Sequence, residues 1–407
     1  MLTTLAHRSK AEGIAGRAKT APEDFAVEEI LQDGTVLEIN KRIQREGVAG
    51  DFTHFVLQKR DWTTEGAIRR IAEALHTNPK RFSYAGSKDK TSVSTQLISA
   101  FRINKSRIVR LNLKDITILG AWSSDSKVSI GDLLGNRFAI VARGLSSGAE
   151  ERVRKIYIEI DGAFPNYFGE QRFGAIRENT HKIGEHIVRQ EYEDAAMMFL
   201  CDCKGETNND SVAARRNLKD TADFKKALKE FPKRLSLERT MLEHLERYPN
   251  DQVNAFRKLP RGIVLLFIHA FQSYLFNVLL SERLSEGDVA LEEDEYYCEE
   301  RLGFPDLGYR SSLKTKWIAG KIIGYAVNLN DREKKLLERL GLKQGDFEIR
   351  AIPELSSKGT RRLLLSPLRN FSFEDNTFRF SLPAGSYATV ALREFLDKSK
   401  LQRDILN

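Results

Sequence analysis

Cysteine is scarce in this chain: its 407 residues include three, Cys201, Cys203 and Cys298. Three thiols are too few for a disulfide framework, and that points to a reducing compartment. The Cys201-Asp202-Cys203 pair lacks partners at metal-ligand spacing, which argues against a zinc site. Long apolar runs are missing too, and no stretch approaches the roughly 18 consecutive apolar residues of a membrane span. Met1 to Gly16 contains charges and glycines but no apolar h-region, so no signal peptide is expected there. Internal repeats and low-complexity segments are likewise absent from the pattern. These gaps lead to the expectation of a cytoplasmic protein with no membrane partner and no metal.

What is present is balanced. Hydrophobic residues make up 41% and charged residues 30%, the proportions of a globular protein. The length suits two domains, at roughly 100–200 residues each, and supports a core without disulfides. The net charge of +8 favours polyanionic partners, because neutralising phosphates releases counterions. Charge by itself leaves RNA, DNA and nucleotides open.

Residues 1–160 read as mixed α and β. Phe25 to Ile30 alternates apolar and polar residues as a strand does, and Phe52 to Leu57 is a second strand. A helix follows, capped by Thr63 or Thr64, with Ala67, Ile68, Ile71, Ala72 and Leu75 on one stripe. Asn78-Pro79 ends it. Strands are expected at 81–85, 94–103, 114–121 and 137–143, and a helix at 149–160. Residues 180–255 read as helical and densely charged, followed by a long apolar helix from Ile263 to Leu284. Strands return at Asp346–Ile352, Arg361–Leu365 and Asn376–Leu382, and a helix near Tyr387–Asp397 closes the chain. Strand-rich ends around a helical middle suggest one domain inserted in another. The basic runs Arg215-Arg216, Lys225-Lys226, Lys233-Arg234 and Lys314-Thr315-Lys316 read as solvated faces. Lys358 to Arg362 reads the same way, and is the best candidate for an RNA track.

The stretch from Tyr84 to Gln96 has the texture of a strand, a glycine turn and a polar exit. Lys88 and Lys90 flank Asp89, and nearby cations favour an ionised carboxylate. Local chemistry leaves two readings open: a solvated turn without function, or an active-site loop positioned by a sheet.

Ala85-Gly86-Ser87-Lys88-Asp89-Lys90 resembles the signature of the TruD family of tRNA pseudouridine synthases, in which a Gly-x-Lys-Asp loop carries the catalytic carboxylate. Lys19 to Ile30 resembles the family's Pro-Glu-Asp-Phe box, and Gly135-Asn136-Arg137-Phe138 its Gly-Asn-x-Phe box. Pro165 to Gly174 and Leu382 to Thr389 are similar to two more, so five boxes in family order span residues 19 to 389. The resemblance implies a mixed α/β (α+β) fold. Its catalytic domain, with a mainly antiparallel mixed sheet, would comprise 1–164 and 366–407, interrupted by an inserted α/β TRUD domain at 165–365. It also implies a synthase that isomerises uridine in tRNA, with uridine 13 as target, needing no cofactor and compatible with a monomer. Two alternatives stand beside it: a synthase acting on other RNAs, and an RNA-binding or chaperone protein without turnover.

Pseudouridylation breaks the N1–C1′ bond, rotates the uracil and joins C5 to C1′. Nothing is oxidised and no group is lost, so neither redox cofactor nor metal is required; a carboxylate nucleophile is. Attack at C1′, attack at C6 and a glycal route all remain open. The base must leave its stack at a cost of a few kcal/mol, and an aromatic ring returns about 1–3 kcal/mol. By resemblance Asp89 is the nucleophile, and Phe25 and Phe138 line the uracil pocket, although strand alternation alone would make them core. Asn136 would bond the base or order the Asp89 loop, unless it is simply a turn residue after Gly135. Lys19 would balance the carboxylate or meet a phosphate, and Tyr387 would pack on base or sugar or merely begin the last helix. Arg172 is a candidate phosphate contact in a box better read as a hinge, and His269 reads as a packed helix residue.

Overall fold

The computed structural model describes residues 4–287 and 289–396. It divides into two compact units. Of the described residues, the sheet unit contains Arg8–Asn166, Glu300–Asp306 and 365–396; the helical unit contains Tyr167–Glu299, Leu307–Leu364 and 4–7.

In the sheet unit the strands are β1 (Arg17–Ala18), β2 (Phe25–Ile30), β3 (Phe52–Arg60), β4 (Phe82–Tyr84), β5 (Val93–Phe101), β6 (Ile116–Ser124) and β7 (Gly135–Arg143). With two C-terminal strands they form one sheet in the order Arg369–Glu374, Thr377–Pro383, β7, β2, β5, β3, β6. Off this path β1 pairs with β7 and β4 with β5. The β2–β5 pair is parallel; the other pairs are antiparallel, giving a mixed, mainly antiparallel sheet. A parallel pair needs a crossover, here the chain that carries β3 and β4.

Helix α1 (Thr64–Ala74) starts where the sequence places it, with the Thr63 hydroxyl oxygen accepting from Gly66 N–H at 3.0 Å. Its stripe of Ala67, Ile68, Ile71 and Ala72 packs on Phe55, Leu57, Ile98 and Ala100. Burying each isoleucine contributes roughly 1.5–3 kcal/mol, so a charge at Ile71 would detach the helix. Alternation along β3 sends Val56 to the opposite face, into a second cluster with Leu97, Leu119 and Trp122.

The helical unit is organised by the Arg261–Glu286 helix, which buries Val264, Phe267, Ile268, Phe271 and Leu275 at helical spacing. By length and composition this helix could cross a membrane, but 67% of its most apolar window is buried, as in a core helix. The Thr180–Val188 helix crosses it at Gly184, where a Cβ would lie 2.0 Å from the Phe267 carbonyl oxygen. Only glycine permits that approach. A sheet of Tyr296–Arg301, Phe304–Arg310, Ile318–Ile322 and Thr360–Leu363 completes the fold.

Two expectations are corrected here. Asp346–Ile352 is not a strand: Gln344–Phe347 is a 3-10 turn, with the Asp346 carboxylate accepting from Lys343 N–H at 2.8 Å. Phe347, Ile349 and Ile352 are buried by irregular chain, and this imitates strand alternation. Nor is Arg215 part of a solvated face; it is 1% exposed and paired with Glu238 at 2.6 Å. In the Lys358–Arg362 run, Arg362 is also buried, its guanidinium 4.0 Å from the centre of the Phe168 ring. The closing helix is Ala388–Leu392; Asp397, its expected end, lies outside the described residues.

Candidate active site

The loop between β4 and β5 carries Asp89. A Cβ on Gly86 would meet nothing within 4 Å, so the turn itself does not demand that glycine. Side chains hold the loop instead. The Thr64 hydroxyl, in the first turn of α1, accepts from Lys88 N–H at 2.9 Å and donates to Gln96 Oε1 at 2.8 Å. Gln96 Nε2 in turn donates to the Gly86 carbonyl at 3.1 Å. The carbonyl oxygen of Asp89 accepts two bonds of 2.7 Å, from Ser92 Oγ and from Lys59 Nζ. Each such buried bond adds about 1 kcal/mol, and together they leave the loop one conformation.

The Asp89 carboxylate faces a different lysine. Lys19 Nζ lies 2.7 Å from Asp89 Oδ2; the side chains are 10% and 32% exposed respectively. Lys19 follows β1 with φ of 64°, a left-handed conformation that costs a non-glycine residue about 1–2 kcal/mol. Its ammonium also sits 5.0 Å from the centre of the Phe25 ring.

Lys88, the immediate neighbour of Asp89, is engaged elsewhere. Its Nζ lies 2.9 Å from Glu29 Oε2 and donates to Asn136 Oδ1 at 2.7 Å. Glu29 and Asn136 are directly opposed on β2 and β7, and Glu29 is fully buried, its other oxygen accepting from Leu97 N–H at 2.9 Å. Of the cations that the sequence set near Asp89, Lys88 as its chain neighbour and Lys19 by resemblance, Lys19 is at the carboxylate and Lys88 is turned to Glu29. Asn136 meets the Asp89 loop through Lys88.

Lys59 was not singled out by the sequence. It is fully buried, and burial pushes its amine down to about 8. A signal was available: Phe55, Leu57 and Lys59 share one face of β3, so the lysine occupies an apolar phase of the strand.

Phe25 and Phe138 are 5% and 7% exposed and meet edge to face at 6.1 Å, with Phe380 5.5 Å beyond Phe138. Tyr387 is half-buried at the N-cap of the Ala388–Leu392 helix, downstream of Leu382, which pairs with Asn136. Lys19, Phe25 and Asp89 thus form one contact cluster. Asn136 joins through Lys88 and Phe138 through Phe25; Tyr387 joins by none of these contacts. Arg172 and His269 lie in the helical unit, Arg172 donating to Ser273 Oγ at 3.2 Å. Chemically, the cluster offers one partly open carboxylate, oriented by an ammonium and backed by aromatic rings.

Known proteins match this chain from end to end. The profile of the family described as tRNA pseudouridine synthase D (TruD) covers residues 2–395. A Methanopyrus kandleri protein named tRNA pseudouridine synthase D is 38% identical, over 88% of this chain and 88% of its own. Its namesake from Methanosarcina acetivorans is 34% identical over 97% and 96%. The crystal structure of a Methanosarcina mazei tRNA pseudouridine synthase D matches with a TM-score of 0.75 at 33% identity, covering 96% of this chain and 95% of that one. Fold and likeness together define an enzyme of the pseudouridine synthase class of isomerases. Within that class, the chain belongs to the TruD family.

Proposed function

We propose that this protein converts uridine to pseudouridine in tRNA, at uridine 13, with Asp89 as nucleophile. The observation that carries the reading is the Lys19–Asp89 pair: a carboxylate 2.7 Å from an ammonium yet 32% open to a substrate. The target uridine leaves its stack and meets the carboxylate, which bonds to C1′ or to C6. Breakage of N1–C1′ frees the uracil to turn, C5 bonds to C1′, the bond to Asp89 breaks and returns the carboxylate, the C5 hydrogen leaves as a proton and N1 takes one up. Composition is unchanged, so no cofactor or metal has a part to play. Lys19 orients the carboxylate, Lys88 and Asn136 fix the loop beneath it, Phe25 and Phe138 wall the base pocket, and Tyr387 packs on base or sugar. The protein acts in the cytoplasm as a monomer.

The test is tritium release from unmodified tRNA carrying C5-tritiated uridine, with mapping of the modified position. The intact protein should release tritium, and Asp89→Asn should be slower by at least about 10⁴-fold, some 5.5 kcal/mol of barrier, with its fold unchanged. Equal release from both would sink the Asp89 assignment. Tight binding without release would favour the RNA-binding or chaperone reading.

A further inference from the structure

Between Lys80 and Lys114 the chain carries nine lysines and arginines and a single carboxylate, that of Asp89. Lys88 and Lys90 belong to the active-site loop. Of the other seven, Lys114 precedes β6 beside Arg60, at the Asp89 end of the sheet. The remaining six lie towards the opposite end of β4 and β5, on a rim built from the end of α1, the Pro79–Arg81 turn and α2 (Lys105–Val109). Two guanidiniums tie this rim together. Arg81 donates to the carbonyls of Phe101, at 2.8 Å, and Arg102, and Arg107 donates to the Leu75 carbonyl at 2.6 Å.

The acidic groups beside the rim are already engaged: Asp51 pairs with Arg102 at 3.2 Å and Glu73 with Arg70 at 3.4 Å. Lys80, Lys105 and Arg110 are exposed, and none has an ion-pair partner among the described residues. Three uncompensated cations on one rigid edge repel each other, a cost of the kind that a polyanion removes. Val109, 53% exposed, is the one large apolar side chain on α2 left open, too little for a protein interface.

Distance gives the feature its meaning. β5 starts beside the Asp89 loop and ends at the rim, and its nine residues, eight steps of about 3.3 Å, separate the two by about 26 Å. We propose that this rim is a second RNA contact, gripping the phosphate backbone of the folded substrate some 25–30 Å from the uridine held at Asp89. The inference rests on the RNA reading above and extends it: the enzyme measures a folded RNA at two separated points. Phosphate contacts of this kind position a substrate without reading its bases.

The test replaces Lys80, Lys105 and Arg110 together by Gln and measures tRNA binding across a salt series alongside steady-state turnover. A control removes the same charge from the helical unit, with Lys225, Lys229 and Lys233 all changed to Gln. If each rim cation meets one phosphate, the slope of log affinity against log salt falls by about 3. KM for full-length tRNA should rise at least about 10-fold with kcat unchanged, and the control should stay near wild type. Wild-type affinity and slope in the rim variant would overturn the proposal. So would an equal loss in the control, which would mean a diffuse field and not a contact. If the intact protein shows rim-dependent tRNA binding but no pseudouridine, the rim stands and the catalytic reading falls. If it binds no tRNA, both fall.

Discussion

The two units bury charge in opposite ways. In the helical unit three buried cations close on carboxylates: Lys321 on Glu333 at 2.9 Å, Arg215 on Glu238 at 2.6 Å, Arg283 on Glu295 at 2.6 Å. Lys321 is saturated further by the carbonyls of Glu293 and Asn328, each at 3.0 Å. In the sheet unit, three lysines surround one loop and their bonds are divided. Lys59 takes the Asp89 carbonyl, Lys88 takes Glu29 and Asn136, and Lys19 takes the carboxylate that stays partly open. A closed buried pair is near neutral for stability and fixes a packing arrangement. An arrangement that leaves a carboxylate reachable gives up some of that closure for chemistry. The contrast separates structural from functional burial without reference to any motif.

The sharpest way to break this contrast is to remove one cation from each unit. Lys321→Met should lose about 3–5 kcal/mol in denaturant unfolding, because Glu333 is left buried and uncompensated, while kcat of the folded enzyme stays within about two-fold. Lys88→Met should lose a similar amount by stranding Glu29, but its kcat should also collapse as the loop and Asn136 come apart. Equal kcat in the two variants would erase the distinction between the units.

Next in size is an acid effect confined to the helical unit. His181 is buried between Phe173 and Tyr274, at 5.4 and 5.2 Å, and burial holds its ring down to about 4. The unfolded chain takes up this proton near 6.5, so stability falls as pH drops from 6.5 towards 4, by about 3 kcal/mol over the whole window. His181→Phe should flatten that slope. A variant curve parallel to the wild type between those pH values would show that His181 is not its source.

The effect at Lys59 has the same sign but falls in an alkaline window. Its amine titrates near 8, below the 10.5 of a free lysine, so the unfolded chain holds the extra proton between those values. Its burial therefore costs stability below pH 8, and the cost fades as pH rises towards 10.5. Lys59→Met should gain about 1–2 kcal/mol at pH 7, after the loss of one hydrogen bond, yet reduce kcat about 10-fold by releasing the Asp89 carbonyl. A variant that is both more stable and fully active would remove Lys59 from the site. The smallest stability change belongs to Lys19→Met, under about 1 kcal/mol for a partly exposed pair, against a kcat loss of about 10-fold. Comparing that loss between Lys19→Met and Lys19→Arg tests whether charge alone suffices.

Legibility in the sequence followed periodicity. Helix α1 was readable to its cap, because a 3.6-residue stripe and a threonine act locally. The segment 346–352 misled because its buried residues fall at spacings of two and three without a strand partner. Arg215 read as solvent-facing because a basic run does not reveal that Glu238 will fold against it. At the site, the Gly-x-Lys-Asp loop pointed to Asp89 through resemblance, whereas its local charges alone described any polar turn.

By itself, then, the sequence determined the family, the strand and helix phases near the site and the carboxylate to examine. Only the tertiary structure decided which cation meets that carboxylate. Adjacent in sequence, Lys88 turns to Glu29; Lys19, 70 positions away, reaches Asp89 at 2.7 Å. Lys88 and Asp89 lie in a loop pinned by Thr64 and Gln96, which turns the two side chains apart, while the sheet brings distant strands together. Chain neighbours therefore part, and the partner of Asp89 is set by β1, β2 and β5 meeting in one sheet.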